Sequence, residues 1–283
     1  MKITLWGVRG SIPTSGPDTK HYGGNTPCIE VSEDGWTLIL DAGSGMQRLN
    51  STIKLEHKRV DILLTHLHFD HIQGLGFFKA LFNPEMEVHI WGPASLSNTL
   101  RSRLGKYFSP PLFPVHFRDL PCKLHLHEVE NSTFTIGPFT ILSRYVTHLG
   151  PTIGFRISDA HAVLSYIPDH EPALGPKGLI RDLKWLSGSD LVLNSDLLLH
   201  DGQFSSEEYK NKVGWGHCSM EDATAFASLA GVKHLLLFHH DPSHTDKQLD
   251  QLFSDLEYAK GNKMKLNLAV EGMEINLYNK KKK

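Results

Sequence analysis

Residues 65–71 read Thr65-His66-Leu67-His68-Phe69-Asp70-His71, with four metal-capable side chains inside six consecutive positions. Histidine and aspartate are strong ligands for zinc, and imidazole also suits iron. Just before them, Val60-Asp61-Ile62-Leu63-Leu64 is a short β-prone apolar run that reads as a buried strand. The ligands therefore sit where a strand ends and a loop begins, a place that can hold side chains rigidly around one point. Four ligands on so short a loop exceed what one closed tetrahedral site would take from it, because they cannot all face the same ion. The spacing points to two metal ions sharing the loop. A solvated polar loop with chance histidines is the bland alternative, and a lone His-x-His would not rise above it.

A loop held this way needs a sizeable core behind it, which 283 residues with 40% hydrophobic content can supply. The formal net charge of −2 gives no global basic field to attract long nucleic acid. The dense run Lys280-Lys281-Lys282-Lys283 reads as a frayed, solvated tail. Cys28, Cys122 and Cys218 are few, odd in number and far apart, which argues against a disulfide framework and fits a reducing cytosol. The start, Met1-Lys2-Ile3-Thr4-Leu5-Trp6-Gly7, reads as a strand rather than a signal peptide. No stretch approaches the roughly 20 apolar residues of a membrane span. A cytoplasmic location with no membrane partner is expected; the oligomeric state is open, and a homodimer is compatible.

Short β-type runs at 3–8, 28–32, 37–40, 60–64 and 87–90 alternate with Gly-, Pro-, Ser- and Asn-rich turns and with helical patterns at 43–51, 72–81 and 94–104. The second half repeats the scheme. Strands are expected at 133–136, 140–146, 152–157, 162–167, 191–195, 235–238 and 265–268, and helices at 179–185, 219–230 and 246–260. Ser219, Glu221 and Asp222 supply an N-cap and an acidic first turn. Two strand-rich halves flanked by helices predict an α/β fold, a four-layer αβ/βα sandwich forming one domain over residues 1–283. The exception is 105–126, where the aromatic, proline-rich Tyr107-Phe108-Ser109-Pro110-Pro111-Leu112-Phe113-Pro114 is either a lid over the site or a covered connection.

A two-metal site needs further ligands, each expected at the end of a buried strand. Three places qualify: His148 after the run 141–147, Asp169 after 162–168 and His239 after 235–238. Singly, each is an ordinary strand-end residue; with the loop they complete a chemically sensible set. In this order and at these intervals, the set resembles the metallo-β-lactamase superfamily. The resemblance extends from Gly7-Val8-Arg9-Gly10-Ser11 and Asp41-Ala42-Gly43-Ser44-Gly45 to Phe238-His239-His240-Asp241-Pro242. It implies that His66, His68 and His148 hold one divalent metal, and Asp70, His71 and His239 the other, with Asp169 bridging them. Zinc is the first choice, manganese or iron the alternatives. His240 rivals His239, but the residue directly after the strand matches the pattern better. Asp41 is implied to support the metal loop through hydrogen bonds without ligating. In the superfamily's oxygen-reducing di-iron branch the position of His68 is typically glutamate, and a flavin domain usually follows. Here hydrolysis is favoured over redox chemistry.

Such a site suits phosphodiester hydrolysis by a water between the two ions, with Asp70 among the catalytic groups. Ester, lactam and thioester hydrolysis use related sites. Leu199-His200-Asp201-Gly202-Gln203-Phe204 and Trp215-Gly216-His217-Cys218-Ser219 resemble the paired motifs of phosphodiesterase branches, among them tRNA 3′-processing enzymes and type II cyclic-nucleotide phosphodiesterases. Carried over, Asp201 orients His217, which stabilises phosphorane-like charge or protonates the leaving oxygen. The fit is imperfect: Asp201-Gly202-Gln203 stands where the tRNA branch has Glu-Ala-Thr, and Cys218 intervenes before Ser219. His217 also precedes the helix expected from Ser219, whose N-terminus favours an anion. Arg9, Ser11 and Asn25 are expected to line the mouth, Arg9 as a phosphate contact or in a surface salt bridge. No basic, glycine- and lysine-rich arm is found, so a small phosphodiester or cyclic nucleotide is expected rather than long nucleic acid. RNA 3′-processing, or ester or thioester hydrolysis, is the alternative. A non-catalytic metal-binding sensor is the rival from another class.

Overall fold

Leu235-Leu236-Leu237-Phe238 buries every side chain, and alternate residues go opposite ways: Leu236 and Phe238 join one hydrophobic cluster, Leu235 and Leu237 another. A strand apolar on both faces belongs inside a sheet that is covered on both sides. In the computed structural model, which describes residues 1–53, 58–172, 182–256 and 264–278, this pattern yields two seven-stranded sheets sharing one core. The first half supplies β1 (Lys2–Gly7), β2 (Cys28–Glu33), β3 (Trp36–Leu40), β4 (Arg59–Leu63), β5 (Glu87–Pro93) and β6 (Lys123–Val129). The second supplies β7 (Ser132–Ile136), β8 (Phe139–Tyr145), β9 (Ile153–Ser158), β10 (Val163–Ile167), β11 (Leu197–Asp201), β12 (His234–Phe238), β13 (Lys265–Leu268) and β14 (Glu274–Asn276). One sheet runs β14-β1-β2-β3-β4-β5-β6, the other β13-β12-β11-β10-β9-β8-β7. Strands β3 to β6 are parallel, as are β10 to β13.

The helices are α1 (Met46–Leu49), α2 (Phe69–Ile72), α3 (Leu100–Tyr107), α4 (Ser189–Val192), α5 (Ser206–Tyr209), α6 (Met220–Leu229) and α7 (Asp246–Asp255). Met46, Ile72 and Leu104 pack with Ile62 on the outside of the first sheet; Val192, Phe226 and Leu249 pack with Leu237 outside the second. These are the four layers of an αβ/βα sandwich. Local signals agree: Ser219 caps α6 by accepting from Asp222 N–H, and α7 opens with a full capping box of Thr245 and Gln248. No helix among the described residues is long and apolar enough to cross a membrane.

Several local expectations change. Residues 191–195 are not a strand; they hold the end of α4 and a turn in which Asn194 is left-handed, with φ 52°. The strand is β11, and pairing with β10 and β12 decides the matter, because so short an apolar run carries no period of its own. Residues 72–81 are the end of α2 followed by two short 3-10 turns, Leu75–Phe77 and Lys79–Phe82. The 105–126 segment ends α3 and begins β6, and Phe108, Phe113, Phe117 and Leu120 are buried against the first sheet. It is a covered connection. The tail at 280–283, residues 179–181 of one expected helix and 257–260 of another lie outside the described residues.

Candidate metal centre

Parallel pairing sets Leu40 beside Leu63, so the ends of β3 and β4 bring Asp41 under the turn that starts at Leu64. Asp41 is fully buried and left-handed, with φ 55°. Its carboxylate accepts from the Thr65 N–H at 2.8 Å, the Thr65 hydroxyl at 2.9 Å and the Tyr166 hydroxyl at 2.8 Å. His71 Nδ1 lies 2.8 Å from the same carboxylate, which leaves Nε2 free. One buried charge thus fixes both ends of the ligand loop.

All seven expected ligands converge. One ligand atom from each of His66, His68, His148 and Asp169 lies within 4.8 Å of the others, and the same holds for Asp70, His71 and His239. Asp169 stands between the groups. Its Oδ2 is 3.7 Å from Nε2 of both His66 and His148 and 3.4 Å from His239 Nε2, while its Oδ1 is 3.1 Å from His71 Nε2. Yet His66 Nε2, His71 Nε2 and Asp169 Oδ1 are buried with no hydrogen-bond partner, which a protein interior seldom tolerates.

The outer ring nitrogens are committed elsewhere. His148 Nδ1 is 2.6 Å from the Gly216 carbonyl and His239 Nδ1 is 3.2 Å from Gln203 Oε1. Such outward bonds fix tautomers and aim the inner nitrogens at one point. Gly216 permits the approach: its φ is +85°, and a Cβ there would sit 2.3 Å from His148 Nδ1. Burial, reinforced by His71, holds His66 well below the ordinary histidine range. Burial opposes protonation of His71 too, but Asp169, Asp70 and Asp41 outweigh it and raise its pKa. Carboxylates crowded into a buried space are charge that divalent cations would neutralise. Five imidazoles and two carboxylates fit zinc, manganese or iron.

His217 meets this cluster from the second sheet. Its ring stacks on His239 with centroids 5.0 Å apart, and its Nδ1 is 2.6 Å from Asp201 Oδ2. Asp201 ends β11, is fully buried and also accepts from the N–H groups of His170 at 3.1 Å and Gln203 at 3.0 Å. Burial alone would depress His217, but Asp201, with Asp169 and Asp70, pushes it up to about 9. Cations in the cluster would bring that value down. A cleft of about 340 Å³ opens over the cluster, lined by Ser11, His68, His148, Lys212, Trp215 and His217 among others. Trp215 is 55% exposed, with Lys212 Nζ 3.8 Å from its ring centroid.

A sequence profile described as the β-lactamase superfamily domain matches residues 36–240. The chain belongs to the metallo-β-lactamase superfamily. A ribonuclease Z of Thermococcus onnurineus is 25% identical over 256 residues, 76% of this chain and 79% of that protein. Among solved structures, the metallo-β-lactamase fold protein YhfI from Bacillus subtilis has a TM-score of 0.69 at 19% identity, covering 97% of this chain and 98% of that one. The short form of human tRNase Z gives the same score and identity over 98% of this chain and 99% of its own. At these identities the two structures speak for the fold.

Within this superfamily member, the residues expected at the mouth divide. Ser11 lines the cleft, and its N–H donates to Asp70 Oδ2 at 2.9 Å. Arg9 does not line it. It is fully buried and donates to the carbonyls of Gly23, Asp241 and His244, so it staples loops together and is neither a phosphate contact nor a surface salt bridge. Asn25 turns to Glu271, donating to its Oε1 at 2.8 Å, and lines a separate groove beside Arg48. His240 points away, its Nε2 2.8 Å from the Ala269 carbonyl, so His239 alone of the pair reaches the cluster. Sequence reasoning missed Tyr166 and Glu171. Glu171 accepts from the N–H groups of Gly214 and Gly216 and from the Tyr209 hydroxyl, which fixes the loop behind His148. The one available signal was their nearness to Asp169 in sequence.

Proposed function

We propose that this metal-dependent hydrolase is a binuclear phosphodiesterase, with zinc as its first-choice metal and manganese or iron as alternatives, acting on a small phosphodiester such as a cyclic nucleotide. The observation that carries the reading is the Asp201–His217 pair, 2.6 Å apart and within reach of Asp169 and His239. His66, His68 and His148 would hold one ion, Asp70, His71 and His239 the other, and Asp169 both. Ions held there supply Lewis acidity and lower the pKa of water.

The chain's own residues supply the rest. Asp201 holds His217 through Nδ1, so that Nε2 can give a proton to the departing oxygen, a contribution of about 10²–10⁴ in rate. Burial opposes ionisation of Asp70, but His71 and His239 hold it well below the usual carboxylate range. With its Oδ2 fixed by the Ser11 N–H, Asp70 orients the attacking water. Trp215 offers an exposed face for stacking a base, and Lys212 a charge for phosphate. A cleft of about 340 Å³ suits a nucleotide-sized group. Three free, buried cysteines fit a cytoplasmic location. The second reading, RNA 3′-processing, is favoured by the name of the Thermococcus relative.

Metal-replete protein should hydrolyse bis(p-nitrophenyl) phosphate, and a chain that cleaves only thioesters or lactams would refute the proposal. A panel of 2′,3′- and 3′,5′-cyclic nucleotides, cyclic dinucleotides and a tRNA precursor separates the two readings by which substrate has the highest kcat/KM.

A further inference from the structure

The first sheet carries another group of metal-capable side chains, at the opposite end of its strands from the centre. β5 and β6 pair in parallel, with His89 opposite His125 and Trp91 opposite His127. Side chains alternate along a strand, so Glu87, His89 and Trp91 share a face that His125 and His127 continue on the edge strand. Trp91 packs against the inter-sheet core, so this is the inner face. One ligand atom from each of Glu87, His89 and His125 lies within 4.8 Å of the others. Glu87 Oε1 is 2.6 Å from His89 Nε2 and 3.9 Å from His125 Nε2, and the two rings stack at 4.5 Å.

His89 is set as a ligand would be. Its Nδ1 is 2.9 Å from His127 Nε2, and His127 is stacked at 3.8 Å on Trp91, which stacks at 4.7 Å on Phe134. That anchored imidazole fixes the orientation of His89 and turns Nε2 toward Glu87, as an outward hydrogen bond orients a metal-binding histidine. His89 is buried, whereas the side chains of Glu87 and His125 are 41% and 49% exposed, which opens a path from solvent. The neighbouring Arg59 is engaged by both oxygens of Asp61 at 2.9 Å, which also accepts from the Trp91 indole.

We propose that Glu87, His89 and His125 form a peripheral site for one divalent transition-metal ion, with water completing its coordination. Two imidazoles and a carboxylate suit zinc, nickel or cupric ion rather than calcium or magnesium. Closing on an ion asks only for rotation of two partly exposed side chains. The site is independent of what the main centre hydrolyses, and its test does not read activity as evidence for it.

Protein whose main centre is already filled is dialysed to equilibrium against micromolar zinc, and the metal is counted. Wild type should take up one ion per chain more than Glu87→Gln or His125→Gln, with at least about tenfold weaker uptake in each variant. Hydrolysis, and the melting temperature before the dialysis, should be the same in all three. Equal uptake by wild type and both variants, or uptake only at millimolar zinc, overturns the proposal. A second measurement does not depend on those variants. Zinc added to the filled wild type should shift the side-chain nitrogen resonances of His89 and His125, and unmoved resonances overturn it.

Discussion

The two sheets deliver their proposed ligands differently. The first gives four from one loop, His66 to His71, held by one buried carboxylate through Thr65 and His71. The second gives them one at a time, His148 beyond β8, Asp169 beyond β10 and His239 after β12, and the two histidines have separate outward partners in the Gly216 carbonyl and Gln203. In the second sheet, register does what the loop does in the first: Asp201 pairs with Phe238, so the strand ends that carry Asp201 and His239 emerge side by side. A contiguous site concentrates its dependence on a single support. A dispersed one spreads it over the sheet.

The sharpest test strikes the residue that joins the two halves. Asp169→Ala should reduce activity to background and lower the metal content from about two ions per chain to one or fewer by elemental analysis. Two ions retained would mean the groups are separate sites. Next in size, His217→Ala should cut kcat about 10²–10⁴-fold while the metal stays, making the second sheet the source of chemistry beyond ligation. If that variant loses metal instead, His217 is a ligand and the assignment of roles fails.

The contrast in support comes third. Asp41→Asn should weaken metal binding about 10–100-fold, and affect both ions, because Asp41 positions the whole loop. Gln203→Ala should weaken binding near the low end of that range and only at the ion held by His239. Competition with a chelator, read as two dissociation steps, separates these outcomes. Equal effects on both ions from both variants would erase the distinction between the sheets.

The same contrast explains what could be read in the sequence. The loop is legible because four ligands in six positions have no packing explanation. The strand-end ligands become legible only beside it, through their order and the resemblance it supports, since a single histidine after an apolar run is unremarkable. The supports are another matter: Tyr166 acts across 125 positions of sequence, and only its nearness to Asp169 marks it. Arg9 misleads for a related reason, as a guanidinium spent on three carbonyls looks in sequence like any surface arginine. β6 could have been found. Lys123-Leu124-His125-Leu126-His127 alternates strictly, but the aromatic, proline-rich stretch before it hid the change of period.

The smallest effect lies at the far end of the second sheet, away from every ligand. His234 opens β12 opposite Lys265 in register, with Nε2 3.1 Å from Asn267 Oδ1. Burial, then the Lys265 charge, lowers its pKa from 6.5 to about 4. Between those values the unfolded chain binds a proton that the folded chain refuses, so stability falls as pH drops through this window and is unaffected above it. A fully buried group shifted that far would contribute roughly 3 kcal/mol; His234 keeps some contact with water, so the effect should be well below that. His234→Gln should flatten the acid limb of urea stability between about pH 6.5 and pH 4 and leave the neutral value within about 0.5 kcal/mol. An acid limb unchanged by the substitution but abolished by stripping the metal would assign acid sensitivity to the ligand histidines, and thus to the junction of the sheets rather than to the second sheet itself.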